Sequence, residues 1–244
     1  MVNRIALFIV LLVNFISYGQ DIHWSQFNDN PIFQNPANTG EFNGDTRFIG
    51  NFRDQWRSVS VPFQTFNVCV DRKSKHFNYG LLMFHDQAGD GKLKTIEAMV
   101  TLSKTFKLTA DSLHILTGGI NLGINHRQVN TDAFYFDSQY NGYIFNPLLP
   151  TNETFQTDRK TNANIGIGAQ YGWNLSSRHY LKIGLSAFNL NQPNQGFYQD
   201  VIKRDLRWVW QVKYSQALNA RWDILPSLQY SKQGTYDEVM LGSS

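Results

Sequence analysis

Asn162-Ala163-Asn164-Ile165-Gly166-Ile167-Gly168-Ala169-Gln170-Tyr171-Gly172-Trp173-Asn174 alternates without a slip. In an extended chain, successive side chains point to opposite sides, so Ile165, Ile167, Ala169, Tyr171 and Trp173 share one face. Asn164, Gly166, Gly168, Gln170 and Gly172 share the other. That second face is small and polar but uncharged. A soluble sandwich also alternates, yet its polar face is usually charged or threonine-rich. Gly, Asn and Gln together suit a barrel interior, with the apolar face turned to lipid. Glycines inside a strand, here Gly166 and Gly168, make room in a lumen or let another backbone approach closely.

The same arithmetic extends in both directions. Leu116, Ile120, Leu122 and Ile124 share a face within 113–125, and Leu181, Ile183, Leu185 and Ala187 within 180–188. In 93–105, Ile96, Ala98, Val100 and Leu102 lie opposite Glu97, Thr101 and Ser103. Trp208, Trp210, Val212 and Tyr214 line one face of 206–216, and Trp222, Ile224, Leu228 and Tyr230 one face of 221–231. With three less regular stretches at 45–54, 63–71 and 77–85, nine strands are expected. The regular runs reach the length of about 9 to 11 residues that a tilted membrane strand needs. Tyr and Trp gather toward strand ends or on the apolar face, as interfacial girdles require. The turns at 86–92, 108–112, 175–178 and 218–220 are short, whereas 127–161 is a long polar, aromatic connection. The expected fold is all-β, an antiparallel outer-membrane β-barrel over residues 45–244; a soluble periplasmic β-sandwich is the alternative.

Ahead of the strands, Met1-Val2-Asn3-Arg4, an apolar run from Ile5 to Ile16, and Ser17-Tyr18-Gly19 read as a secretory signal peptide over residues 1–19, cleaved after Gly19. The apolar run is too short for a spanning helix of about 20 residues. No Cys follows it, which argues against a lipoprotein. Residues 20–44 are polar, aromatic and dense in turn formers, and are expected to form a non-strand lead-in docked inside or beneath the barrel. The negative mean hydropathy and the lack of a further long apolar run exclude a helical membrane protein. The net charge of +3 argues against a nucleic-acid binder. Cys69, the single cysteine, cannot form an internal disulfide and reads as a small buried or membrane-facing side chain.

Signals for catalysis or cofactors are weak. The turn from Asp86 to Lys92 lacks the alternating oxygen ligands and closing Glu of a calcium loop. The six histidines show no zinc-like spacing. There is no nucleophile elbow, Walker loop or dinucleotide fingerprint, so neither an enzyme nor a cofactor is expected. The cluster Arg47, Arg53, Asp54, Gln55, Trp56 and Arg57 opens the strand region with three cations and a Trp. It reads either as inward charges paired with acidic residues and the lead-in, or as a docking surface for a periplasmic partner.

At these residues the sequence resembles the PorP/SprF proteins of the type IX secretion system in Bacteroidetes. The likeness rests on Gln20 to Phe27, on Asn35-Pro36-Ala37 with Gly40, and on Phe42-Asn43-Gly44-Asp45. It continues through Arg47, Asn51, Arg53, Gln55-Trp56 and Val61-Pro62-Phe63 to Thr65, and more loosely to about residue 232. The resemblance implies an outer-membrane component that assists export or surface attachment of adhesins and links to gliding. Its partners would be the secretion machinery, a surface adhesin or its C-terminal signal domain, and outer-membrane lipid. Asn35, Pro36, Gly40, Asn43, Gly44, Arg47, Arg53, Gln55 and Trp56 are the motif positions and the candidates for partner docking. Family barrels are longer, so an incomplete barrel ending in the opening of another strand near Val239 is expected. A general barrel that passes or binds small hydrophobic solutes is the second functional reading.

Overall fold

The computed structural model describes residues 22, 24, 27–58, 61–89, 91–198 and 200–243; the expected signal at 1–19 and the first lead-in residues lie outside them. The long strands are β1 (Thr46–Gln55), β2 (Phe63–Arg72), β3 (Asn78–Ala88), β4 (Leu93–Lys107) and β5 (His114–Gln128). A small hairpin follows, β6 (Tyr140–Asn141) with β7 (Ile144–Phe145). The chain continues through β8 (Arg159–Asn174), β9 (Tyr180–Phe188), β10 (Arg207–Ala217), β11 (Asp223–Ile224), β12 (Pro226–Gln233) and β13 (Tyr236–Ser243). Every long strand pairs antiparallel with the next, and β5 meets β8 across the hairpin excursion.

All nine expected stretches are strands, with two differences. The stretch at 221–231 is broken into β11 and β12 because Pro226 has no N–H to give to the ladder. The tail is more than the opening of a strand: β13 pairs along its whole length with β12 and makes a tenth long strand.

Burial is inverted relative to a soluble protein. Along β5, Leu122 is 57% and Ile124 62% exposed, while Asn121 between its apolar neighbours is 2% exposed. The row Phe48, Val70, Leu81, Val100, Leu122, Ile165 runs across six paired strands and is apolar throughout. Six residues further along each strand, the row Asp54, Gln64, Gln87, Lys94, Gln128, Arg159 is polar throughout. The row Thr46, Arg72, Tyr79, Leu102, Ile120, Ile167, Ala187, Trp208 starts polar and turns apolar. The apolar band therefore crosses the rows obliquely, as tilted membrane strands demand. Among the described residues no helix is long and apolar enough to cross a membrane.

The sheet curls around its polar face. Inside the curl lie a turn at Phe27–Asp29, the single helical turn α1 (Pro31–Gln34) and a turn at Pro36–Asn38. Trp24, Ile32 and Phe33 pack there against Cys69, Leu82, Phe84 and Met99. Cys69 is thus a buried apolar side chain. The connections at 73–77, 108–113, 175–179 and 218–222 crowd one end of the sheet, and the long loops 129–158 and 189–206 lie at the other.

Candidate functional site

Two places gather polar chemistry: the interior occupied by residues 30–42, and the mouth beneath the long loops. In the interior, Asn35 caps the turn at 36–38, its side chain accepting from the Ala37 amide at 2.9 Å. Its Nδ2 donates to the carbonyls of Ala169 at 3.2 Å and Leu185 at 3.5 Å, tying the turn to β8 and β9. Glycines make this approach possible. A Cβ on Gly168 would fall on Asn35 Oδ1, and one on Gly119 on the Pro36–Ala37 peptide. Asn38 Nδ2 donates to Pro31 O at 2.9 Å and to Gln211 Oε1 at 3.3 Å. The Thr39 carbonyl accepts from Ser103 Oγ at 2.7 Å and Asn78 Nδ2 at 3.2 Å.

Gly40, at φ +75°, turns its amide onto Asp71 Oδ2 at 2.7 Å. Arg47 clasps the same carboxylate, Nε at 2.9 Å and Nη2 at 2.8 Å, and also reaches the Asn38 carbonyl at 3.3 Å. A bidentate Arg–carboxylate pair with a fully buried Asp is a strong fastening. Asn43 and Gly44 lie exposed just beyond it.

Arg53, Gln55 and Trp56 stand at the opposite end of β1. Six residues of strand put about 20 Å between Arg47 and Arg53. The structure does not bring these sequence candidates into one surface. Arg47 fastens the lead-in, Arg53 and Gln55 line a chamber at the long-loop end, and exposed Trp56 packs edge-on against Phe63 with centroids 4.9 Å apart. Arg57 pairs with Asp54.

The mouth is organised by Glu97, which is 1% exposed. It accepts from Asn125 Nδ2 at 2.8 Å, Asn164 Nδ2 at 2.6 Å and Arg204 Nη1 at 3.1 Å. Three donors on one carboxylate offset the cost of burying its charge. Arg204 belongs to the loop 189–206, which is tied down further by Arg127 to Gln195 Oε1 at 2.6 Å and Asn162 to Asn194 O at 2.9 Å. Arg207 sits between the Phe33 and Phe188 rings at 4.2 and 4.3 Å and donates to Phe33 O at 3.0 Å. The loop 129–158 packs onto this one through Phe155 and Tyr198, 4.6 Å between centroids. Partial loss of water and the Glu153 carboxylate beside it push the Tyr198 phenol above its ordinary value.

A chamber of about 740 Å³ lies between the loops, walled by Phe134, Phe136, Phe155 and Tyr198, with Lys203 and Arg204 among its polar groups. Neither Glu97 nor the loop 189–206 stood out in the sequence. The signal was the gap between the strands ending at 188 and starting at 206, with Lys203, Arg204 and Arg207 at its close.

A family model described as "Type IX secretion system membrane protein PorP/SprF" matches residues 16–244. The chain belongs to the PorP/SprF family. No curated protein and no solved structure matches it. As a PorP/SprF protein it is a membrane component of the type IX secretion system. The inverted burial and the curled antiparallel sheet are the physical form that membership takes here.

Proposed function

We propose that this protein assists export or surface attachment of adhesins at the outer membrane, by binding other proteins rather than by catalysis. One observation carries the reading. The concave interior is filled by the chain's own residues 30–42, fastened to β2, β4, β8, β9 and β10 by the bonds of Asn35, Asn38, Thr39 and Gly40. An interior so occupied is poorly suited to passing solutes, which leaves the loops and turns as the surfaces that do work. The buried carboxylates Asp71 and Glu97 are engaged in ion pairs, so they are poor candidates for acid–base chemistry.

The test is mild crosslinking of the native protein in isolated outer membranes, followed by tagged purification. Recovery of type IX machinery together with a surface adhesin is the expected result. Recovery of the protein alone, with solute uptake that depends on it, would replace this reading with the solute barrel; absence from that fraction would overturn the location.

A further inference from the structure

Between Arg127 and Arg159 the sequence contains no lysine or arginine, while Asp132, Asp137, Glu153 and Asp158 place four carboxylates there. Asp158 pairs with Arg159, and Glu153 stands beside the Tyr198 phenol. Asp132 and Asp137 are exposed and have no ion pair among the described residues. Lys92, next to the Gly91 carbonyl that accepts from the Asn130 amide at 2.9 Å, is exposed and pairs with neither. Within this loop a hollow of about 540 Å³ is walled by Phe134, Tyr135, Phe136, Phe145 and Phe155, and among the described residues the one charged side chain on its wall is Asp132. Lys203 and Arg204 line the chamber on the far side of Phe134, Phe136 and Phe155 and are not part of this wall.

The rings form a box instead of a stack. Tyr135 meets Phe145 at 66° with centroids 4.7 Å apart, and Phe134 meets Phe136 at 79° and 6.1 Å. Aromatic faces are electron-rich, so a box of rings with a carboxylate on its wall attracts a cation and disfavours an anion. The volume falls in the range of about 300–1,000 Å³ typical of ligand pockets and has room for a long side chain. The rim shows what carries the cation. Ile144 and Leu148, chain neighbours of the lining residues, are 73% and 91% exposed. A free cation makes no use of such an apolar rim, whereas a polypeptide packs on it. An anionic lipid surface attracts basic segments, and this one is acidic. We propose that the hollow receives an arginine or lysine side chain of a partner protein, whose flanking apolar residues pack on Ile144 and Leu148. The Asp132 carboxylate accepts the N–H bonds of the cation while the rings cover it and its stem. The inference rests on the protein-binding role proposed above and names the chemistry of the partner.

The probes are three labelled peptides of equal length that carry Arg, Gln or Glu between two leucines, titrated onto the full chain in phosphatidylcholine nanodiscs with empty nanodiscs subtracted. The Arg peptide is expected to bind about tenfold tighter than the Gln peptide, and the Glu peptide to bind weakest. Asp132→Asn should weaken the Arg peptide by about tenfold. Phe145→Leu, which keeps an apolar side chain and removes a ring face, should weaken it by about fivefold. Asp111→Asn at the short-turn end should leave it unchanged. Retained heat-dependent gel mobility identifies variants that still fold, and Asp132→Asn, an exposed change, decides alone where Phe145→Leu does not. Equal binding of the Arg and Gln peptides, or indifference to either folded variant, overturns the proposal. So does acetyl-arginine amide that binds as tightly as the peptide, because the hollow would then be one for free cations. Adhesin display in cells lacking the gene is scored in parallel. Normal display there sinks the secretion role, whereas lost display with indiscriminate peptide binding sinks only the cation pocket.

Discussion

Gly168 and Gly118 lie on neighbouring strands but on opposite faces of the sheet, Gly168 toward the interior and Gly118 in the outward row of Leu116 and Ile120. Asn35 occupies the space where a Gly168 side chain would go, and nothing lies within 4 Å of the same position at Gly118. Gly168→Val should therefore dislodge the Asn35–Pro36 turn at a cost of about 1–3 kcal/mol, the usual penalty for overfilling a packed site. Gly118→Ala should be silent. The urea midpoint of the refolded protein, compared between the two, checks this, and equal midpoints would mean that the turn does not sit on β8. Glu97 offers a second test. Glu97→Gln removes the charge facing Arg204 and turns one acceptor into a donor against Asn125 and Asn164. Breaking a buried pair in this way costs about 3–5 kcal/mol. The expected readout is rapid proteolysis within 189–206 while the strands stay protected. A loop as resistant as before would show that Arg127 and Asn162 suffice to hold it.

Strands carry the part of the fold that a sequence displays most openly, because the two faces of a strand are read from neighbours two residues apart. Leu122 lies in the middle of the apolar rows, so Leu122→Arg should cost about 2–4 kcal/mol and reduce membrane insertion, measured as loss of the heat-dependent mobility shift. The short turns make a separate prediction. Arg178 donates to Asp223 from Nε at 2.8 and 3.1 Å and bonds the Asn219 carbonyl at 2.6 Å, so it clips 175–179 to 218–222. Hydrogen bonding from Arg178 holds the Asp223 carboxyl below its ordinary range. A carboxyl with a depressed folded pKa contributes stability above its unfolded value, about 3.9, and loses it as pH falls through the folded value. The clip is then intact at neutral pH and in mild acid and loosens only below about pH 4. Titration of Asp223 by NMR should move up toward ordinary values in Arg178→Ala, and an unmoved titration would exclude the clip. Turn-rich composition at 20–44 was equally readable as a departure from strand. Which strands hold that segment was not, because its fastenings join residues such as Asn35 and Leu185, 150 positions apart. The Arg and Trp cluster divides along β1: Arg47 pairs with Asp71 and holds the lead-in, while Arg53 to Arg57 stand at the other end of the strand.

On the scale of the whole molecule, the sheet is a lipid-facing wall wrapped around its own N-terminal segment, with the elaborated loops at one end. Among the described residues β1 and β13 do not pair with each other, and each has one hydrogen-bonded neighbour. Both nevertheless carry the apolar band, with Phe48 at 78% and Leu241 at 80% exposure. In hydrocarbon an unpaired row of backbone N–H and C=O groups costs several kcal/mol per group, so neither edge can stay bare inside a bilayer. Charged or proline-bearing residues, which blunt edges in soluble sheets, are absent from the middle of β1, where Phe48, Gly50 and Phe52 face outward. The outer-edge amides of β1 must therefore find strand partners in the membrane, whichever polypeptide supplies them. Hydrogen exchange separates the cases: in native membranes these amides should exchange as slowly as those of β5 at the centre of the sheet. Fast exchange along β1 with slow exchange along β5 would mean that the edge faces water, and the wall would then have to close by a route other than strand pairing at β1.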